Sequence, residues 1–235
     1  MMRAFIKSIA VSAWLCSIGG AAAAQTPLAG ATLFQDVRIY DGKSASLSAP
    51  SHVLVRGEVI ERISATPIAP PPSATVIDGQ GRTLMPGLID NHWHTMLAAP
   101  SMMTTLEGDL GYLTLLAAAE ARATLLRGFT TVRDVGGPAF GLKRAIDEGI
   151  VKGPRIYPSG AMITITAGHG DFRQPFEVPR IIGGTLTRGE LVGGSAIADT
   201  PDEVRVRVRE QLLLGASQIK LTAGGGVASP HSPLD

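Results

Sequence analysis

Leu84-Met85-Pro86-Gly87-Leu88-Ile89-Asp90-Asn91-His92-Trp93-His94 is an apolar run that ends in two histidines separated by one residue. A run of this kind predicts a buried β-strand from Leu84 to His94. Side chains alternate faces along a strand, so His92 and His94 project to one side and can bind one metal ion together. Trp93, between them, points the other way, toward a core. A His-x-His pair also arises on ordinary surface strands and then binds nothing. The metal reading gains weight from a second element downstream, Ser217-Gln218-Ile219-Lys220-Leu221-Thr222, a short apolar strand with one lysine in its middle. Ile219 and Leu221 flank that lysine and leave it alone on the opposite face.

Between these two elements the chain alternates strand and helix. Gly111 to Arg127 is an alanine- and leucine-rich stretch with a helical repeat, and it stops at Gly128. Phe129 to Val135 reads as a strand, closed by Gly136-Gly137-Pro138. Phe140 to Val151 reads as a second helix, ended by Gly153-Pro154, and a third strand starts at Arg155. A long glycine-rich loop spans about Thr164 to Ala198. Thr200-Pro201-Asp202-Glu203 then opens a helix with a hydroxyl N-cap, a proline at the first position and a glutamate placed for a capping box. The alternation Val204-Arg205-Val206-Arg207-Val208-Arg209 looks β-like, but the cap and Leu212-Leu213-Leu214 favour a helix to Leu214. Repeated βα units imply a parallel sheet with right-handed crossovers, either a barrel or a doubly wound sheet.

Upstream, Thr32 to Thr83 reads as a small β-rich domain. Its strands are Leu33 to Tyr40, His52 to Arg56 and Val59 to Ile63, punctuated by Asp41-Gly42, Gly57, Pro70-Pro71-Pro72 and Asp78-Gly79. His52 starts a strand and reads as an edge residue. Before this domain, Arg3 and Lys7 precede an apolar run from Ile9 to Ile18, then Gly19-Gly20 and four alanines. These are the parts of a secretory signal peptide over residues 1–24, cut after Ala24, and the run is too short to anchor in a bilayer. The expected destination is periplasmic or secreted. The only cysteine, Cys16, falls inside the leader, so the exported chain relies on core burial or metal rather than disulfides. At 45% hydrophobic residues and a net charge of +1, it can bury a core, and it has no basic tract to favour nucleic acid or an anionic membrane.

Taken in order, Val76-Ile77-Asp78-Gly79, Leu84 to Asp90, His92-x-His94, Gly128 to Asp134, Gly168-His169-Gly170-Asp171 and Ile219-Lys220-Leu221 resemble the metal-dependent amidohydrolase superfamily. Within it, the chain is similar to the exported branch that includes imidazolonepropionase-like proteins and the prolidase-like Xaa-Pro and other Xaa dipeptidases. The resemblance implies an α/β fold: a (β/α)8 TIM-type barrel, its first four βα units in residues 84–235, behind a small N-terminal β-sandwich domain in residues 25–83. It also implies that His92 and His94 bind a first metal ion. Lys220 is then carboxylated to a carbamate that bridges two Zn2+ ions, a lysine amine taking up CO2 to become an anionic oxygen donor. A hydroxide held by the metals attacks a carbonyl that one of them polarises.

His169 lies in the loop that borders the substrate pocket in this family, which implies contact with the carboxylate or amide of a small-molecule or dipeptide substrate. A loop histidine without that role is the plain alternative. Asp134, ending a strand beside Gly136-Gly137, is expected to hydrogen-bond behind the ligands. His231, just after Gly224-Gly225-Gly226, reads as a surface residue, with lining of the pocket as the alternative. The family also requires two histidines and an aspartate from later strands, and nothing after Lys220 supplies them, so no catalytic set is complete here. The expectation is an N-terminal part of an exported hydrolase of C–N amide bonds, inactive by itself, with no membrane anchor and a homo-oligomer left open. A lactonase or deaminase on the same scaffold, or a non-catalytic truncated product, are the other readings.

Overall fold

The structure is a computed structural model that describes residues 30–226. Residues 1–24, for which a signal peptide is expected, and Cys16 and His231 lie outside the described residues. The chain divides into two compact units between Met85 and Pro86. Among the described residues no helix is long and apolar enough to cross a membrane.

The first unit is a mixed five-stranded sheet of β1 (Ala31–Ile39), β2 (Ser51–Arg56), β3 (Val59–Ser64), β4 (Thr75–Asp78) and β5 (Thr83–Leu84). β1 pairs antiparallel with β2, and β2 with β3, across the turn at Gly57. β4 and β5 both run parallel to β1, at different heights along it. Ala31, Leu33, Leu54 and Ile68 form its core. The β1–β2 register shifts between Phe34 and Val37, where Asp36 takes a positive φ of 47°. Gly79 passes over this bulge, its N–H donating to the Gln35 carbonyl at 2.7 Å. A Cβ on Gly79 would lie 2.6 Å from the Asp36 carbonyl oxygen, closer than van der Waals contact allows. Gly79→Ala is therefore expected to destabilise the protein by about 2 kcal/mol, the usual cost of forcing atoms into a filled site, read as a lower urea midpoint.

The second unit contains β6 (Leu88–Trp93), α1 (Met102–Glu107), α2 (Leu110–Leu126), β7 (Phe129–Asp134), α3 (Phe140–Asp147), β8 (Arg155–Pro158), β9 (Met162–Thr164), α4 (Arg188–Leu191), β10 (Ser195–Ile197) and α5 (Pro201–Leu213). β6, β7 and β8 form a parallel sheet in that order. β9 continues from β8 and pairs in parallel with β10 on one side, while Ile163 bridges to Leu221 on the other. α2 is capped by Asp109, which accepts from Tyr112 N–H, and buries Leu113, Ala117, Ala121 and Thr124 along one stripe. That stripe meets Val132, Leu142 and Ile156 in the main core, with Trp93 packed against it. A second core of Ala161, Ile163, Ala196 and Ala198 lies under Val204, Val208 and Ile219. β-α alternation with parallel pairing is thus the observed architecture.

Several expectations need correction. Leu84 to His94 is not one strand: Pro86 has no N–H to offer a ladder, and the run splits, with Thr83–Leu84 pairing to β1 and Leu88–Trp93 to β7. Nor is β6 buried. It pairs only with β7, and Leu88 and Ile89 are exposed among the described residues. The five described strands of the N-terminal unit form one mixed sheet, which is a single layer of the expected sandwich. The segment around Lys220 is held by one β-bridge rather than a full strand. α3 ends at Asp147, where Glu148 caps it and Gly149 turns the chain at φ 75°. The glycine-rich loop carries α4 and β10, and the polar run after Ser101 forms α1. α5 starts at Thr200 as read, but Glu203 accepts from the Asp199 N–H at 2.9 Å, so the reciprocal bond falls one residue early.

Candidate metal centre

β6 delivers His92 near its end and His94 just beyond it. Asp90 accepts the His92 N–H at 2.8 Å. The His94 carbonyl accepts from both Leu97 and Ala98 at 2.9 Å, which winds the chain into a turn directly after the second histidine. The two rings stand 5.5 Å apart between centroids and are tilted by 53°. His92 is exposed and His94 half-buried. The Gly136 carbonyl oxygen lies 3.3 Å from His94 Nδ1. With the proton on Nδ1 that carbonyl accepts it, and the Nε2 lone pair is free for a ligand. Gly136 must be small: a Cβ there would fall 3.1 Å from His94 Nδ1 and 2.7 Å from Met162 Cγ.

Burial holds the His94 ring below the ordinary imidazole range, the Gly136 carbonyl pulls the other way, and the Lys220 ammonium adds to the lowering. His92 is lowered too, first by its partial burial and then by Lys220. Both rings are therefore neutral at physiological pH, the form that donates to a metal. Lys220 is close enough to act on each of them. Its segment is tied down by backbone and side chain: the Lys220 carbonyl accepts Ile163 N–H at 2.9 Å, and Thr222 N–H donates to the Ile163 carbonyl at 2.9 Å. Gln218 Nε2 donates to the carbonyls of Asp134 at 3.0 Å and Tyr157 at 2.8 Å.

His169 comes to the same place from the loop after β9. Its N–H donates to the Gly224 carbonyl at 2.8 Å, and its carbonyl accepts the Thr222 hydroxyl at 2.7 Å. The loop is clamped by Asp171, whose buried carboxylate accepts from Ala167 N–H at 2.7 Å and pairs with the Arg173 guanidinium. The His169 ring acts on His94 by charge, which places the two side chains near each other. Asp134 ends β7 fully buried, accepting from Thr95 N–H at 2.7 Å and Gly136 N–H at 3.2 Å.

His92 and His94 thus stand side by side, Lys220 acts by charge on both rings and His169 on His94, and Asp134 binds the N–H groups of Thr95 and Gly136 next to them. Among the described residues no cluster of three or more His, Cys, Asp or Glu is found. Two imidazoles and a lysine fit a metal if the lysine supplies oxygen rather than nitrogen, which is the chemistry of a carbamate. Sequence reasoning missed Gly136, Gln218 and Thr222. Thr222 had a signal, since it is two residues from Lys220 and shares its face. The Gly136 carbonyl had none.

The model of the amidohydrolase family matches residues 83–234. An ochratoxinase from Aspergillus niger is 36% identical over 156 residues, covering 62% of this chain and 32% of that protein. A prolidase solved with N-methylphosphonate-L-proline is similar at 35% identity and a TM-score of 0.75, over 87% of this chain and 49% of that one. A Xaa-Pro dipeptidase with methionine bound in its active site is similar at 30% identity and a TM-score of 0.68, over 85% and 48%. The chain therefore spans about a third of the length of the curated relative and about half of the solved ones.

Proposed function

We propose, from the premise that this chain belongs to the amidohydrolase family, that the whole protein is an exported metal-dependent hydrolase of C–N amide bonds. Its substrates are dipeptides or N-acyl amino acids. The observation that carries this reading is the convergence of two neutral imidazoles, His92 and His94, on one lysine, Lys220. Names of relatives support the bond type, among them a prolidase and a Xaa-Pro dipeptidase. The complete fold is a (β/α)8 barrel with an N-terminal β-sandwich, of which residues 84–235 are four βα units.

His92 and His94 would hold a divalent metal, Zn2+ in this reading, and Lys220, once carboxylated, would supply oxygen donors to the same centre. When bound, the metals supply an activated water and polarise the scissile carbonyl. The rest is the work of the chain. Gly136 fixes which nitrogen of His94 faces the metal, and Asp134 fixes Gly136 and Thr95. His169, held at the Lys220 segment through Thr222, meets the substrate carboxylate. Thr222 therefore ties the binding of substrate and metal to one short stretch of backbone.

The test uses the full-length protein. Metal content by plasma mass spectrometry is expected near two Zn2+ per chain, with hydrolysis of at least one member of a panel of dipeptides and N-acyl amino acids that stops on chelation. Hydrolysis of lactones with no amide turned over would sink the assignment.

A further inference from the structure

β6 is not a regular strand where it approaches the histidine pair. Its register on β7 shifts between Asp90, which pairs with Val132, and Trp93, which pairs with Asp134, so Asn91 and His92 together oppose Arg133. Two residues facing one make a β-bulge, and a bulge changes the face that later side chains take. In an unbroken strand Asn91 and Trp93, two residues apart, would share a face. Here they do not: Asn91 lines a hollow with Ile89, Thr131, Arg133 and Tyr157, whereas Trp93 packs on the core of Val132 and Ile156. The bulge therefore turns Trp93 toward the helices and leaves the two histidines on the other face, where Lys220 acts on both by charge. One peptide group lies at its centre, and two side chains of opposite charge hold it. The His92 N–H donates to the Asp90 carboxylate at 2.8 Å, and the Asn91 carbonyl accepts the Arg133 Nε–H at 2.7 Å.

We propose that Asp90 and Arg133 are positioning residues for the metal centre: they clamp the Asn91–His92 peptide from both sides and so hold the bulge that aims His92. The inference rests on the metal-hydrolase reading and deepens it. A peptide group displaced from the regular ladder needs other partners for its N–H and C=O, and charged partners bind them more strongly than neutral ones. Arg133 is exposed, so its removal leaves the core intact, and the loss falls on the peptide it holds. Asp90 acts through a carboxylate oxygen, for which an amide oxygen can substitute. Arg133 acts through one N–H, for which an ammonium can substitute. A methionine has a comparable reach but no donor. Groups that orient a metal ligand without touching the metal ordinarily change its affinity by about 10–100-fold.

The experiment uses the full-length protein, stripped of metal and titrated with Zn2+ against a chromophoric chelator, then loaded with Co2+ for its visible spectrum. Asp90→Ala and Arg133→Met are each expected to raise the Zn2+ dissociation constant about 10–100-fold and to alter the Co2+ bands, with far-UV circular dichroism unchanged. Asp90→Asn still accepts the His92 N–H and Arg133→Lys still donates to the Asn91 carbonyl, so each should recover most of the affinity. Because both side chains hold one peptide, Asp90→Ala combined with Arg133→Met should cost less than the product of the two separate fold-changes. The two positions are tested separately, so a variant that does not fold leaves the other to decide. Folded alanine and methionine variants that bind Zn2+ within about threefold of wild type overturn the clamp while leaving the metal reading intact. Asparagine and lysine variants as weak as these two overturn it as well. A wild-type protein that binds neither Zn2+ nor Co2+ overturns the functional reading and the clamp with it.

Discussion

Lys220→Ala in the full-length protein is expected to lose most of its bound metal and to fall by about a thousandfold or more in kcat/KM on an N-acyl amino acid, because the activated water is lost with the metal. An alanine cannot take up CO2, and His92 and His94 alone give two donors where a tight site needs four. The fold should survive the change, since Lys220 is held through its backbone: its carbonyl accepts from Ile163, and Thr222 and Gln218 make the neighbouring bonds. Far-UV circular dichroism should accordingly match wild type. Lys220→Arg separates charge from chemistry. A guanidinium keeps the positive charge but forms no carbamate, so the arginine variant should lose metal like the alanine variant. Wild-type metal content in either folded variant would remove the bridging role.

What the sequence made legible was whatever local chemistry decides. The Val-Arg alternation of α5 was outvoted by Thr200 and Pro201, and the arginines find partners a helix can reach, Arg205 with Asp202 and Arg207 with Glu190 and Glu210. α2 needed only its stripe, its Asp109 cap and Gly128. The spacing of His92 and His94 could be read from alternation, and their rings stand 5.5 Å apart with Lys220 near enough to act on both by charge. What could not be read was partnership. An apolar run states that it will be covered, not by which strand, so Leu84 and Leu88 went to different sheets although they lie four residues apart. β10 is three residues, Ser195–Ile197, too short for any period, and it exists because β9 offers it an edge. The Gly136 carbonyl that orients His94 is a main-chain atom 42 residues away, and no side-chain pattern announces it.

Asp134→Ala is expected to cost about 3–5 kcal/mol at pH 7 and to reduce metal retention as well, although Asp134 touches no proposed ligand. Its carboxylate is fully buried and accepts the N–H of Thr95, directly after His94, and of Gly136, whose carbonyl holds the His94 ring. Removing it leaves two buried donors without an acceptor, at about 1–3 kcal/mol each. Burial pushes the Asp134 carboxyl up to about 6, against the pull of the Thr95 and Gly136 N–H groups. The folded pKa thus exceeds the unfolded value, so the group's contribution to stability is fully present below about pH 4 and is lost as pH rises through 6. The loss is on the order of 3 kcal/mol, from a shift of roughly two units. Asp134→Asn removes the titration and should flatten this part of the stability profile, measured by urea unfolding from pH 4 to 7. A slope unchanged by the asparagine, or an alanine variant within 1 kcal/mol of wild type and equally loaded with metal, would be decisive against this account. Ionising this buried carboxyl weakens the fold near neutral pH, but deleting the acceptor weakens it more, because the Thr95 and Gly136 N–H groups are then left buried and unpaired. The carboxylate's second effect is positional: one side chain fixes both the turn after His94 and the peptide that orients its ring, and so sets the ligand before any metal arrives.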